Sequence, residues 1–223
     1  MRDPILHARV LNLYLCGEAY PHVVDDYFQT DYVSCPELRE KMRTHFADED
    51  KHVLLYAAAI RKLGAEVLDL PPPAIFNHVI RTHTPEPWKA EASHDADTRA
   101  ERIANFLAHA HHLEKRVARS LEFHLDACAH APSPYPSKAV AAVLHDEERH
   151  VGYTREAVYE LLPKARADAV MATHRRAETR ANLDFSMHNL RRLLREEKER
   201  WPRSRRAFYQ GCTLAMGGML ACA

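Results

Sequence analysis

Two short motifs in this sequence place a histidine three residues after a glutamate. Glu49 precedes His52 in the first motif, and Glu147 precedes His150 in the second. On an α-helix these positions share one face, so the carboxylate and the imidazole of each motif can bind the same metal ion. Mixed oxygen and nitrogen ligands suit Fe(II), Mn(II) and similar ions better than ions that prefer thiolates. One such motif alone is usually an ordinary solvated pair, so the argument for a metal site rests on the duplication.

A further glutamate precedes each motif by a similar distance, in the neighbouring predicted helix. Glu18 lies 31 residues before Glu49, and Glu114 lies 33 residues before Glu147. Glu114 also falls among apolar residues, where an uncompensated carboxylate is destabilising and a bound metal would explain its position. Glu122 is the alternative in the same helix, although it lies only 25 residues before Glu147 and nearer the edge of the apolar stripe.

The composition favours long helices in one domain, residues 1–223. The chain has 223 residues, of which 46% are hydrophobic and only six are glycine, which is typical of an all-α protein with a sizeable core. Lysine and arginine (31) balance aspartate and glutamate (31), so no net charge attracts nucleic acid or an anionic membrane. There is no C-x-x-C pair, signal-peptide pattern or membrane-length apolar run. These features predict a cytoplasmic protein with no nucleic-acid or membrane partner.

The helical pattern predicts a hairpin, a long crossover and a second hairpin. The four predicted helices cover about 5–28, 36–63, 98–130 and 133–162. Pro21 is expected to bend the first helix, and capping boxes at Ser34/Glu37 and Thr98/Glu101 are expected to open the second and third. The proline-rich segment 68–97 is too long for a simple turn, which makes it the crossover.

Two additional helices are predicted after this bundle, as an extension over about 164–223. A long charged helix covers about 164–199, and a short apolar helix covers about 208–221. The apolar helix is expected to pack against the bundle as an extra core element. A substrate-channel lining or a homodimer contact is the alternative.

The glutamate and histidine pattern resembles the ferritin-like di-iron carboxylate superfamily, in which two helices each supply one glutamate and two others each supply Glu-x-x-His. The resemblance covers about residues 5–162 and implies a four-helix bundle with a long crossover between helices two and three. It implies two iron ions, with manganese or a mixed pair as the alternative. The implied ligands are Glu18, Glu49 and His52 for one ion, and Glu114 (or Glu122), Glu147 and His150 for the other.

A longer form of the motif adds a preceding aspartate. Asp-Glu-x-Arg-His is similar to the motifs of bacterial multicomponent monooxygenase hydroxylases, and it occurs here from Asp146 to His150. The motif from Asp48 to His52 matches it with Lys51 in place of arginine. The similarity implies that Asp48 and Asp146 each accept a hydrogen bond from a ligand histidine and so fix its orientation.

The resemblance implies an oxidoreductase, a monooxygenase or oxidase, that uses O₂ and an external electron donor to hydroxylate, N-oxygenate or similarly oxidise a small organic substrate. A ferroxidase or rubrerythrin-like protein that handles iron or peroxide is the first alternative, although rubredoxin-type cysteines are lacking. A metal-free helical scaffold is the second. An oxygenase would have an apolar pocket beside the metal centre. His124 is predicted to be a hydrogen-bonded core residue, with a role as a seventh ligand as the alternative.

Overall fold

The computed structural model describes residues 3–24, 28–84, 87–129, 133–197 and 199–222, and within these ranges the protein is all-helical. Its helices are α1 (Pro4–Ala19), α2 (Pro36–Lys62), α3 (Phe76–His83), α4 (Ala96–Cys128), α5 (Tyr135–Leu161), α6 (Lys164–Glu196) and α7 (Arg203–Cys222). Short 3-10 turns occur at Tyr20–His22, Thr30–Tyr32 and Pro72–Ala74. In the described ranges, no helix combines the length and apolar character needed to cross a membrane.

Helices α1, α2, α4 and α5 enclose a common core. The first two are antiparallel, because Tyr14 packs against Tyr56 while His22, further along, packs against the earlier Phe46. Helix α4 packs mainly along α5, and α5 also contacts α2. Each of the four helices contributes a fully buried aliphatic side chain to the same cluster: Leu11, Ile60, Leu121 and Val140. Polar side chains on the inner faces of these helices therefore share one interior.

The ends of the helices differ from the predicted ends in two places. Helix α1 ends at Ala19 instead of near Phe28, and a 3-10 turn that contains Pro21 follows it. Proline lacks the N–H that would continue the α-helical bonds, so it ends the helix here instead of bending it. Residues 25–27 of the predicted first helix lie outside the described residues. His130, the predicted end of the third helix, also lies outside them.

Both predicted capping boxes are wrong. Cys35 is the N-cap of α2 and makes no side-chain capping bond. Helix α4 begins earlier than predicted, because Asp95 caps it and accepts a hydrogen bond from the backbone N–H of Thr98 at 2.7 Å. A short acidic side chain satisfies a free amide of the first turn as well as a serine or threonine would.

Helix α3 was not predicted and lies inside the crossover. It buries Val79 and Ile80 and packs against α6. At its start, the ring of Phe76 lies 5.2 Å from that of Phe185 on α6. An eight-residue helix between proline-rich segments depends on such tertiary packing for its stability.

Helix α7 packs along α6 instead of entering the core of the bundle. Among its described residues only Thr213 is buried, while three large apolar side chains stay exposed. They are Phe208, Leu214 and Met219. The prediction that this helix adds to the core is therefore wrong.

His174 should make the stability of the fold depend on pH. This α6 side chain is 1% exposed, and its Nε2 lies 3.0 Å from Asn105 Oδ1. Burial, together with the nearby His112 and Arg81, lowers the pKa of His174 to about 3. The unfolded chain therefore takes up a proton near pH 6.5 that the folded protein does not, and stability falls as the pH drops below that value.

The free energy of unfolding should fall between about pH 7 and about pH 5. We expect this fall to be smaller by about 1–2 kcal/mol in His174→Gln than in the unsubstituted protein, as measured by urea unfolding at both pH values. His145→Gln is the control, because His145 is exposed on α5. Equal pH dependence in His174→Gln and the unsubstituted protein would rule out this role for His174.

Candidate metal centre

The four core helices bring all six predicted ligand residues together. Each lies within a helix, on its inner face, and each is buried. The exposed fraction ranges from 0% for His52 and Glu147 to 7% for Glu114. Burial of so many ionisable groups in one place requires a compensating interaction.

A first group of donor atoms surrounds His52. Its Nδ1 lies 3.4 Å from Glu18 Oε2 and 3.5 Å from Glu147 Oε1. Together with Glu49, these side chains place one ligand atom each within 4.8 Å of all the others. One ion could therefore be bound by residues of α1, α2 and α5.

A second group lies beside the first. Ligand atoms of His45, Glu49 and His150 also lie within 4.8 Å of one another, and His150 Nδ1 is 3.4 Å from Glu147 Oε2. Glu114 Oε1 lies 3.6 Å from His45 Nε2. Glu49 belongs to both groups, and each oxygen of Glu147 lies near a different histidine, Oε1 near His52 and Oε2 near His150. Both carboxylates could therefore contact an ion held by either group.

Several donor atoms of these groups lack a hydrogen-bond partner although they are buried. They are Glu49 Oε1, both carboxylate oxygens of Glu147, His45 Nε2 and His150 Nδ1. His45 Nε2 lies only 3.1 Å from Glu49 Oε1, but the angles do not form a hydrogen bond. Buried polar atoms are normally paired, and a metal cation would satisfy these. The carboxylate and imidazole donors thus fit a pair of iron or manganese ions.

The charges of the centre are unbalanced without a cation. Burial, reinforced by the charges of Glu18 and Glu114, raises the pKa of Glu49 and of Glu147 well above the usual range. Burial would also raise the pKa of Glu114, but His45 outweighs it and the pKa is lowered to about 2. A bound cation would favour the ionised form of all these carboxylates.

The two aspartates bind the histidines in a crossed arrangement. Asp146 accepts a hydrogen bond from His52 Nε2 at 3.2 Å, and Asp48 accepts one from His150 Nε2 at 3.3 Å. Each aspartate therefore orients the histidine of the other motif. In the tautomer that donates from Nε2, the Nδ1 lone pair faces the centre, as a metal ligand requires.

A basic pair holds the aspartates in place at the edge of the centre. Lys51 and Arg149 each form ion pairs with both Asp48 and Asp146. Burial would raise the pKa of Asp146, but Lys51 and Arg149 outweigh it and hold that pKa well below the usual range. Asp146 therefore stays ionised and accepts the bond from His52.

The alternatives left open by the sequence lie away from the centre. Glu122 is exposed and forms an ion pair with Arg119 at 2.5 Å. His124 is a buried core residue whose Nε2 lies 2.9 Å from His7 Nε2, which confirms the prediction of a hydrogen-bonded core histidine.

His45 is the residue of the centre that sequence reasoning missed. It is 1% exposed, its Nδ1 lies 2.7 Å from the hydroxyl of Tyr153, and its ring stacks on that of His150 with centroids 3.6 Å apart. It precedes Glu49 by four residues and His52 by seven, which places all three on one helix face. That spacing is the signal that could have found it.

A cavity of about 100 Å³ lies beside the centre. Its lining residues come from α1, α2, α3, α4 and α6, and they include Glu18, Glu49 and Glu114 of the centre. The apolar part of the lining comprises Leu13, Tyr14, Phe76, Val117 and Phe185. An organic molecule in this cavity would lie directly against the centre.

Comparisons with protein-family models, curated proteins and solved structures gave no match. The site itself, its donor atoms and the adjoining cavity therefore carry the functional argument.

Asp146→Asn should weaken metal binding without changing the fold. The substitution removes the charged acceptor of His52 and the anionic partner of Lys51 and Arg149. We expect affinity for Mn(II) or anaerobic Fe(II), measured by competition with a chelator, to fall about 10- to 100-fold. Asp168→Asn is the matched control, because Asp168 pairs with Lys164 on the surface. Unchanged affinity in Asp146→Asn would show that the aspartate does not support the centre.

Proposed function

We propose that this chain is a ferritin-like di-iron carboxylate protein that acts as an oxygenase or oxidase on a small organic molecule. The proposal is supported by four core helices that supply glutamates and two Glu-x-x-His motifs to one buried site. Crossed hydrogen bonds from two aspartates add the support that such ligand histidines need.

The residues of the centre would divide between two ions. Glu18, Glu49 and His52 would hold one, and Glu114, Glu147 and His150 the other, with Glu49 and Glu147 placed to bridge. When bound, an iron pair supplies the capacity to react with O₂ and to transfer two electrons together. A manganese or mixed pair is compatible with the same donors.

His45 and Tyr153 would contribute to the centre without being part of either motif. The hydroxyl of Tyr153 lies 2.7 Å from His45 Nδ1, which leaves Nε2 directed at Glu49 and Glu114. His45 would either add a ligand or hold a proton between these two carboxylates. Both roles place it in contact with the reacting region.

The apolar cavity beside the carboxylates is the observation that favours an organic substrate over iron as substrate. Aromatic and aliphatic side chains form much of its wall, whereas an iron entry path would be lined by acidic groups. Its volume, about 100 Å³, is smaller than the ~150 Å³ apolar cavity that binds benzene or xenon. The proposed substrate is therefore a small apolar molecule or the apolar end of a longer one. O₂ and an external electron donor complete the proposed reaction.

Filling the cavity tests this proposal. Val117→Phe places a larger ring in the cavity wall, so we expect at least a tenfold loss of O₂-dependent oxidation of small apolar test compounds with a chemical reductant. The iron content should stay unchanged, because Val117 is not a donor. Products are measured by gas chromatography and iron by elemental analysis.

Val67→Phe is the control, because Val67 is exposed. The result that would favour a ferroxidase is repeated oxidation of added Fe(II) without any organic product. Val117→Phe would then oxidise Fe(II) as fast as the unsubstituted protein. Equal product formation by Val117→Phe would show that the cavity does not hold the substrate.

A further inference from the structure

A second cluster of metal-binding side chains lies between α1 and α4. It consists of His7, His124 and Cys128, whose side chains are 2%, 4% and 8% exposed. His7 Nε2 lies 2.9 Å from His124 Nε2, and Cys128 Sγ lies 3.8 Å from His7 Nε2. Each of the three side chains offers one ligand atom that lies within 4.8 Å of the others.

These distances are close to those that a single bound ion requires. Bonds of ~2.0–2.1 Å to nitrogen and ~2.3 Å to sulfur, with tetrahedral angles, separate two nitrogens by about 3.3 Å and a nitrogen from sulfur by about 3.5 Å. The observed separations of 2.9 and 3.8 Å differ from these by a few tenths of an ångström. Hydrogen bonds of His7 Nε2 with His124 Nε2 and with the Cys128 thiol hold these groups together without an ion, and they leave three metal-ligand side chains converging on one buried point.

The two histidines of the cluster are in the protonation state that binds a metal ion, whereas the thiol must lose its proton. Burial lowers the pKa of His7, and burial together with His7 lowers that of His124 to about 4, so both imidazoles are neutral near pH 7. Burial raises the pKa of the Cys128 thiol. An ion that binds here forms a metal–sulfur bond and displaces the thiol proton, which is released to solvent.

We propose that His7, His124 and Cys128 bind one thiophilic closed-shell ion, Zn²⁺ or Cu⁺. One thiolate and two imidazoles without a carboxylate favour these ions over the iron or manganese proposed for the carboxylate centre. The two sites are separate: His124 follows Glu114 by ten residues on α4, which is about 15 Å along the helix. The ion would join α1 to α4, which otherwise pack mainly on α2 and α5.

Cobalt(II) titration of the metal-free full-length protein tests this proposal, because a thiolate ligand gives a sulfur-to-cobalt charge-transfer band that carboxylate and imidazole ligands do not. We expect the first equivalent to give this band and Zn²⁺ to remove it by competition. Cys128→Ser should lose the band. Cys16→Ser should keep it, because Cys16 is an equally buried thiol that instead donates to the Leu68 carbonyl.

A second readout covers the case in which Cys128→Ser does not fold. Zn²⁺ should raise the thermal unfolding midpoint of the unsubstituted protein and of Cys16→Ser, and His124→Gln should lose that rise with its helical circular dichroism intact. The site is assigned to Cu⁺ if the cluster binds neither Co²⁺ nor Zn²⁺ and the unsubstituted protein retains Cu⁺ against a chelator. In that case Cys128→Ser should lose the Cu⁺ to the chelator. A band of equal strength in Cys128→Ser, or no binding of any of the three ions, overturns the proposal.

Discussion

Glu147→Gln is expected to abolish metal binding at the carboxylate centre and to stabilise the metal-free protein. Glu147 is fully buried, and neither of its oxygens has a hydrogen-bond partner. Its pKa is raised by burial and by the charges of Glu114 and Glu18. Because that pKa is raised, folding near neutral pH must either protonate this carboxylate or bury it charged, and both lower stability. Glutamine has the same shape but does not ionise, so we expect the free energy of unfolding to rise by about 1–3 kcal/mol.

The metal content should fall at the same time, because Glu147 is placed to bridge both ions. The measurements are urea unfolding of chelator-treated protein and elemental analysis after anaerobic reconstitution with Fe(II). Glu148→Gln is the matched control, since Glu148 is the next residue of α5 and is exposed. Two results together would show that this carboxylate is structural: lower stability of chelator-treated Glu147→Gln, and an unchanged iron content of Glu147→Gln after reconstitution.

Glu114→Gln is expected to reduce bound iron from about two ions per chain to about one. Glu114 is 7% exposed and its Oε1 lies 3.6 Å from His45 Nε2. Because His45 keeps the pKa of Glu114 low, this carboxylate is ionised and ready to bind a cation. Removing its charge should weaken one of the two ion positions while the donors around His52 stay in place.

Glu122→Gln provides the control for that result on the same helix. Glu122 is exposed and paired with Arg119, so its substitution should leave the iron content unchanged. Loss of iron from Glu122→Gln, with no loss from Glu114→Gln, would reverse the assignment. Both proteins are compared by elemental analysis and by the optical spectrum of the oxidised iron.

Local signals in the sequence account for much of the fold. Pro36 and Gly64 bracket α2, which runs from Pro36 to Lys62, since proline favours the first turn of a helix and glycine its end. The i, i+3 spacing placed Glu49 and His52 on one face, and the structure turns that face inward. The ends and the buried face of a helix can thus be predicted from the sequence where its terminal residues and its apolar periodicity agree.

Features that depend on tertiary packing were not readable. Helix α3 is short and follows three prolines, so its stability comes from contact with α6, which no local pattern records. His45 was missed because only Glu-x-x-His spacing was considered. The crossed bonds of Asp48 and Asp146 join two helices about 100 residues apart in the sequence. The pairing of His7 with His124 spans 117 residues.

The most direct test of the proposed metal pair is an anomalous difference map, recorded at the iron absorption edge from crystals reconstituted anaerobically with Fe(II). We predict two peaks, roughly 3.5–4 Å apart, with Glu49 and Glu147 in contact with both. One peak should lie beside His52 and the other beside His150. Crystals with no peak between these side chains, although iron is bound at the protein surface, would contradict the account.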